Sequence, residues 1–183
     1  MEYKKNSNKY FLPVSSQKVL DFLAYNSGKK YTEREIVKGT GVKKSAVNLS
    51  LRELADKKII KKEKIGRTSI YKADENNFVL KEIKILQNIL LIFSLVEKLK
   101  QISQKIILFG SCANGDNTSE SDIDLFIQTN NPDSIRKIIN SLPSRDKIQA
   151  IIKTPKEMLL INKNKPLFFQ EIEKGRVLWE NYG

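Results

Sequence analysis

One segment, residues 110–124, constrains the fold of this chain more than any other. It reads GSCANGDNTSESDID, so that a Gly-Ser pair opens it and two aspartates separated by one residue close it. The apolar runs at residues 106–109 and 125–127 flank the segment on either side. Short apolar runs bounded by turn residues are typical of buried strands. The segment is therefore predicted to lie between two buried strands.

The two aspartates, Asp122 and Asp124, are spaced to act together. Alternate side chains of a strand point to the same face, so both carboxylates are expected to project together from the start of the second strand. Carboxylates this close repel each other unless a positive charge lies between them. Because Mg²⁺ favours oxygen ligands and usually bridges to phosphates, the pair predicts a magnesium site.

This segment resembles the signature of the nucleotidyltransferase superfamily related to DNA polymerase beta, and within it the small minimal nucleotidyltransferases. The signature is Gly-Ser, a spacer and then Asp-x-Asp, often inside Ser-Asp-Ile-Asp-Leu, and residues 121–125 read SDIDL. The resemblance covers residues 103–183. It implies an α/β domain with a small mixed sheet, Mg²⁺ as cofactor, and ATP or another nucleoside triphosphate as ligand or substrate.

The resemblance also implies a role for each matching residue. Asp122 and Asp124 would hold the metal ions of a catalytic site, because two-metal sites clamp the attacking and leaving oxygens in phosphoryl transfer. The backbone N–H groups around Gly110 and Ser111 would cradle the phosphates, and the Ser111 hydroxyl would donate to a phosphate oxygen. Gly110 lets the backbone approach closely because it has no side chain.

Two departures from the family pattern bear on catalysis. Many minimal members read Gly-Ser-x-Ala-Arg-Gly, whereas this chain reads GSCANG, so Asn114 stands in the nucleotide-binding loop where a positive charge is lost. The family's third carboxylate, which binds a metal and activates the attacking hydroxyl, falls on Gln149. Asp146 would replace it only with an offset register, and an odd step reverses the face of a strand. The resemblance therefore implies nucleotide and magnesium binding with weak or no transfer activity.

The rest of the C-terminal half alternates between helix and strand patterns. Prolines mark the helix starts, which is where proline is favoured. The predicted elements are a helix at 132–142, a strand at 147–153, helices at 155–162 and 166–175, and a strand at 176–179.

The N-terminal half carries a second pattern of elements. Residues 14–25 have apolar side chains at helical spacing. Thr32 is predicted to cap a short helix at residues 33–38, with Glu35 as its capping-box partner. A further helix begins near Lys44 or Ser45 and carries apolar residues at spacings of four and three. Two short runs, 59–65 and 68–73, then read as a hairpin around Gly66-Arg67.

This order of elements resembles a winged helix-turn-helix DNA-binding domain over residues 14–75. In that fold the second helix of the pair enters the major groove and the wing flanks it. The resemblance implies double-stranded DNA as a partner, with base or groove contacts from one set of side chains and phosphate contacts from another. The first set is Lys44, Ser45, Asn48 and Arg52, and the second is Lys43, Lys62, Lys64 and Arg67.

The connector between the halves, residues 77–103, reads as one long helix with more apolar surface than one stripe requires. Its central apolar run, residues 89–96, is too short to span a membrane, which takes about 20 apolar residues. A helix buried on two sides explains the excess, so the connector is predicted to form a homodimer. The predicted domains are thus 1–76, 77–103 and 104–183, in an overall α+β fold.

Composition narrows the partners and the compartment. The net charge is +12, of which residues 1–77 carry +9. A basic excess confined to one half indicates a nucleic-acid or other anionic partner for that half. With one cysteine and no histidine, an internal disulfide and the usual Cys/His zinc sites are excluded. The first fourteen residues lack a signal-peptide apolar core, so a cytoplasmic location is expected.

Three functions fit these features. The first is a transcriptional regulator that binds DNA and carries a nucleotide-binding domain. The second is an active nucleotidyltransferase with a protein, RNA or small-molecule acceptor, for example an antitoxin that acts on a HEPN-type toxin partner, as the family suggests. The third is a non-catalytic interaction module. Gln149 favours the first or third, and the intact Asp122 and Asp124 pair favours the first or second.

Overall fold

The structure, a computed structural model, describes residues 14–181, and it divides the chain into two units. The N-terminal unit runs to Gln87 and includes the loop Gly115–Glu120, and the C-terminal unit comprises Asn88–Asn114 and the chain from Ser121 onward. The start of the chain, where no signal-peptide core is predicted, lies outside the described residues. Both units combine helices with a small sheet, so the fold is α+β, as the sequence predicts.

The elements of the N-terminal unit are α1 (Ser15–Tyr25), β1 (Tyr31–Thr32), α2 (Glu33–Thr40), α3 (Lys44–Asp56), β2 (Ile60–Ile65) and β3 (Thr68–Ala73). The strands form a three-stranded antiparallel sheet of order β1-β3-β2. The predicted hairpin is present, with β2 and β3 paired along their full length around the turn at Gly66. The order of the three helices and the hairpin matches the prediction, which did not include β1.

Local sequence signals explain where α2 begins and ends. Thr32 and Glu35 form the predicted capping box, in which the Thr32 N–H donates to Glu35 Oε2 at 2.7 Å and the Glu35 N–H donates to Thr32 Oγ1 at 3.3 Å. Gly41 ends the helix with a φ of 68°, a conformation in which glycine carries no Cβ penalty. Because α2 is fixed at both ends, its first residue Glu33 has a defined position against α3.

The long helix α4 (Phe78–Leu99) contributes to the cores of both units. Leu80 is fully buried in the core of the N-terminal unit, whereas Ile92, Leu95 and Leu99 are buried in that of the C-terminal unit. Sharing between two cores explains much of the apolar excess in the connector. None of the helices among residues 14–181 is long and apolar enough to cross a membrane.

The elements of the C-terminal unit after α4 lie within a few residues of their predicted bounds. They are β4 (Lys105–Phe109), α5 (Gly110–Asn114), β5 (Ile123–Gln128), α6 (Pro132–Asn140), β6 (Ile148–Lys153), α7 (Pro155–Asn164), α8 (Pro166–Glu173) and β7 (Arg176–Glu180). The four strands form a mixed sheet of order β6-β5-β4-β7. β5 pairs antiparallel with β4 and parallel with β6, and β7 pairs with β4 at the other edge.

The two faces of this sheet carry different neighbours. One face packs against α4 and α6 through side chains such as Leu125 and Ile135. The other face packs against α7 and α8, where Phe126 and Ile172 are fully buried and Phe109 meets Phe168 edge to face with ring centroids 6.4 Å apart. Since side chains alternate along β5, Asp124 projects on the same face as Phe126, the face covered by α8.

Candidate functional site

The two aspartates lie where β5 begins. Asp122 precedes the strand directly, Asp124 is its second residue, and both are half-buried. Asp124 is paired across the ladder with Phe109, the last residue of β4. The next residue along the chain from Phe109 is Gly110, so the strand pairing alone brings the Gly-Ser turn beside the Asp-x-Asp motif.

Gly110 makes this close approach possible. Its φ is 66°, and a Cβ at this position would lie 2.5 Å from Asp124 Oδ2, inside the van der Waals limit. Any other residue would displace the carboxylate or the turn. Ser111, half-buried, and Asn114, exposed, follow in the short helix α5.

The Cys112 side chain holds α5 against the backbone at Asp122. Its side chain is buried, and its Sγ lies 3.2 Å from the Asp122 backbone carbonyl, to which the thiol donates. The Cys112 carbonyl in turn accepts from Asn88 Nδ2 at 2.9 Å. These contacts give the thiol a packing role in the turn and bury it away from solvent.

Gln149 occupies the place next to the pair that the sequence assigns to it. It is aligned with Asp124 in the parallel β5–β6 ladder, and its Nε2 donates to Asp122 Oδ2 at 2.8 Å. Asp146 lies outside that ladder in a 3-10 turn (Arg145–Lys147), where it pairs with Arg145 at 3.5 Å. Among the described residues no group of three or more acidic or cysteine side chains is arranged to hold a metal ion.

A cavity of about 310 Å³ lies between the Gly-Ser turn and α8. Gly110 and Asn114 line one side, and Glu171 and Lys174 line the other. Sequence reasoning missed the α8 side of this cavity. The lining positions 167, 170, 171 and 174 do follow helical spacing, but three of them are exposed polar residues, which at that spacing also describe an ordinary solvated face.

Burial raises the pKa of the Asp124 carboxyl, and the nearby charges of Asp122 and Glu171 raise it further. A carboxylate that is partly buried beside other negative charges favours a bound cation, because a positive charge relieves both the repulsion and part of the lost hydration. The arrangement is thus suited to a divalent cation with additional oxygen ligands from a bound molecule.

Two basic side chains lie close to Asn114, at which the resemblance would place an arginine. Lys174 lines the cavity, and Arg176 Nε donates to the Ala113 carbonyl at 3.1 Å, beside Asn114. Gly175 between them packs so tightly on β4 that a Cβ would lie 2.6 Å from the Leu108 carbonyl oxygen. The loop therefore has positive charge beside it from a part of the sequence that no motif singles out.

A second candidate surface belongs to the N-terminal unit. A groove of about 540 Å³ runs between α2, α3 and the β2–β3 hairpin. Four cationic side chains line it, namely Arg34, Lys44, Lys62 and Arg67. Asn48 also lines it, and Asn48 Nδ2 donates to Glu33 Oε2 at 2.9 Å.

The structure thus brings together part of the predicted nucleic-acid set. Lys44, Asn48 and Arg67 line the groove together with Lys62. The remaining predicted side chains are exposed on the same unit outside the groove lining, and they are Lys43, Ser45, Arg52 and Lys64. Sequence reasoning missed Glu33 and Arg34. They lie on α2, and they come close to α3, the helix predicted to enter the major groove, only because α2 packs on α3.

Comparisons with known proteins support the C-terminal reading. The family model described as "Polymerase beta, Nucleotidyltransferase" matches residues 91–182, half of the chain. No curated protein matches the chain. A solved structure titled "Structural insights into the DNA recognition and protein interaction domains reveal fundamental homologous DNA pairing properties of HOP2" is 28% identical, covering 33% of this chain and 100% of that one at a TM-score of 0.31. A TM-score of 0.31 does not establish a shared fold.

The raised pKa of Asp124 predicts a stability cost at neutral pH. Between the ordinary value near 3.8 and the raised folded value, the folded protein binds more protons than the unfolded chain, so stability falls as pH rises through that window. Asp124→Asn removes the cost. Thermal unfolding at neutral pH should therefore shift upward by about 2 °C, and the gain should shrink at acidic pH.

Asp146→Asn is the matched control, since that side chain is 90% exposed. Its unfolding temperature should stay within error of the unsubstituted protein at both pH values. A lower unfolding temperature for Asp124→Asn at neutral pH would contradict the electrostatic account.

Proposed function

The chain belongs to the polymerase beta nucleotidyltransferase family, and from that premise we propose that it is a DNA-binding regulator whose C-terminal unit binds a nucleoside triphosphate with magnesium. Its transfer activity is weak or absent. Asp122, Asp124, Gly110, Ser111 and Asn114 form the nucleotide site in this proposal.

The observation that carries the proposal is the hydrogen bond from Gln149 to Asp122. A side-chain amide cannot accept a proton from an attacking hydroxyl at neutral pH, and its Nε2 is a donor that cannot ligate a metal. The uncharged amide also adds none of the repulsion that a third carboxylate would bring to Asp122 and Asp124. The site therefore keeps the means to bind a metal–phosphate group and lacks the group that would activate an acceptor.

The donor set fits a magnesium ion held jointly with phosphate. Mg²⁺ is commonly held by one or two carboxylates together with substrate phosphates and water, and Asp122 and Asp124 supply the two carboxylates. When bound, the ion would neutralise charge on the triphosphate. The turn at Gly110 and Ser111 would meet phosphate oxygens with backbone N–H groups, while Lys174 and Arg176 add positive charge beside it.

Active nucleotidyl transfer is the alternative, with a protein, RNA or small-molecule acceptor, including a toxin-like protein partner. The intact Asp122 and Asp124 pair favours it. A purely non-catalytic interaction module is the second alternative, in which the fold is kept and nucleotide is not bound.

Replacement of Gln149 separates these functions. The unsubstituted protein should bind ATP with Mg²⁺, seen as a thermal shift, and transfer little or no label from radiolabelled ATP. Asp122→Ala should abolish the shift. Gln149→Glu places a third carboxylate beside the pair, so it should lower the unfolding temperature without Mg²⁺ and enlarge the Mg²⁺-dependent shift.

Gln101→Glu is the matched control, because Gln101 is exposed and remote from the pair. It should behave as the unsubstituted protein does. Label transfer by the unsubstituted protein that Asp122→Ala abolishes would support the alternative of active transfer. The absence of any ATP-dependent shift would leave the interaction module.

Duplex DNA is the proposed ligand of the cationic groove. Lys62 and Arg67 on the hairpin and Arg34 on α2 would meet phosphates beside an inserted α3, and Lys44 on α3 would reach into the major groove. Each phosphate contact releases counterions, so binding should weaken steeply with salt.

Lys62→Ala tests this proposal against Lys38→Ala, an exposed lysine at the end of α2 outside the groove lining. On a short mixed-sequence duplex, Lys62→Ala should reduce the slope of log affinity against log salt by about 0.9, and Lys38→Ala should leave it unchanged. Equal effects of the two substitutions would show that the general positive charge of the unit, and not the groove, accounts for DNA binding. No retention at low salt by the unsubstituted protein would exclude duplex binding.

A homodimer through residues 77–103 completes the proposal. Val79, Leu86 and Phe93 are 38–43% exposed and recur every seven residues, a spacing that suits packing against a second helix. Leu86→Glu should therefore halve the mass found by sedimentation velocity, whereas Lys98→Glu on the same helix should not. A monomeric unsubstituted protein would end this part of the proposal.

A further inference from the structure

Among the described side chains that line the cationic groove, one is a carboxylate and one is an amide, and the two are hydrogen-bonded to each other. Glu33 is half-buried at the first position of α2, and Asn48 is exposed on α3 one turn into the helix. Asn48 Nδ2 donates to Glu33 Oε2 at 2.9 Å. Around them lie Arg34, Lys44, Lys62 and Arg67. A negative group among four cations weakens phosphate binding, so its presence calls for a different role.

The hydrogen bond fixes which way the Asn48 amide faces. An ionised carboxylate only accepts hydrogen bonds, so the amide must turn its NH₂ group toward Glu33 and its carbonyl oxygen away. One N–H is then engaged, and the second N–H and the carbonyl oxygen remain for a ligand. Without Glu33 the amide would sample both orientations in the open groove.

Glu33 is itself held in place by its local structure. The capping box of Thr32 and Glu35 fixes the first turn of α2, and a helix N-terminus stabilises a carboxylate in that turn. The position of the carboxylate is thus set before any ligand binds. This is the arrangement expected of a side chain that orients a neighbour.

We propose that Glu33 is a positioning residue that presents the Asn48 amide to adenine in the major groove of duplex DNA. The inference rests on the duplex binding proposed above. Adenine offers N7 as an acceptor and the N6 amino group as a donor, which match one N–H and one carbonyl oxygen of an oriented amide. Guanine offers two acceptors there, cytosine an amino donor and thymine an acceptor, so none matches both groups.

The sequence preference of the protein tests this inference. Sites are selected from a randomised duplex library with the unsubstituted protein and with Asn48→Ala, and the position whose preference changes in Asn48→Ala is assigned to Asn48. At that position the unsubstituted protein should favour adenine by roughly 5- to 150-fold, the range of one good bidentate pair. Glu33→Ala should lose most of that preference, and Glu33→Gln, which keeps a carbonyl acceptor, should retain it.

Two further variants separate positioning from charge and from folding. Glu53→Ala removes an exposed carboxylate of the same unit, on α3 and outside the groove lining, and should leave the adenine preference intact. The Glu33→Ala and Asn48→Ala double variant should discriminate no worse than Asn48→Ala alone, because both changes remove one interaction. Far-UV circular dichroism and unfolding temperature monitor the fold of each variant.

The outcomes distinguish this inference from the proposal beneath it. If no sequence is enriched and no duplex is retained at low salt, DNA binding itself fails. If the unsubstituted protein selects a site and Glu33→Ala keeps the same adenine preference, Glu33 does not position Asn48 and the inference is overturned. Loss of the preference in both Glu33→Ala and Glu33→Gln would assign the effect to charge, which also overturns it.

Discussion

The C-terminal site depends on the close approach of Gly110 to the Asp124 carboxylate. With a φ of 66° and no room for a Cβ, Gly110 lets the chain turn from β4 into α5 directly against the acid group. The Cys112 thiol and the β4–β5 ladder then fix the same turn to the backbone of Asp122 and to Asp124. The Gly-Ser turn and the two carboxylates are therefore held beside each other by the same set of contacts.

The negative charges that suit this site to a cation also destabilise the folded protein when no cation is bound. Burial and like charge act on Asp124 in the folded protein, and a bound cation would relieve them. Gln149 relieves part of the same repulsion without a cation, because its amide donates to Asp122. A carboxylate in its place would make the site depend more strongly on metal and would supply a proton acceptor. The amide thus leaves the folded protein more stable without a bound cation than a carboxylate at the same position would.

Motif and periodicity predicted the parts of this fold that are encoded locally. The strands around SDIDL, the capping box of Thr32 and the hairpin follow from short spacings, whereas the place of Gln149 beside the pair was implied by the family resemblance. The missed residues are those that reach a site through tertiary packing. Glu171 meets the aspartates only because α8 covers their face of the sheet, and Glu33 meets Asn48 across two helices. In the sequence, each is one more charged residue on a helix surface.

Both candidate surfaces are suited to ligands that carry phosphate, but the groove is lined mainly by basic side chains and the C-terminal site is centred on two acidic ones. Under the proposed function, basic side chains in the groove of the N-terminal unit would meet phosphates directly, while Glu33 is engaged by Asn48. In the C-terminal unit, Asp122 and Asp124 repel a polyanion unless a divalent cation lies between them. The first surface is therefore suited to a long polyanion such as duplex DNA, and the second to a triphosphate that carries its own metal ion.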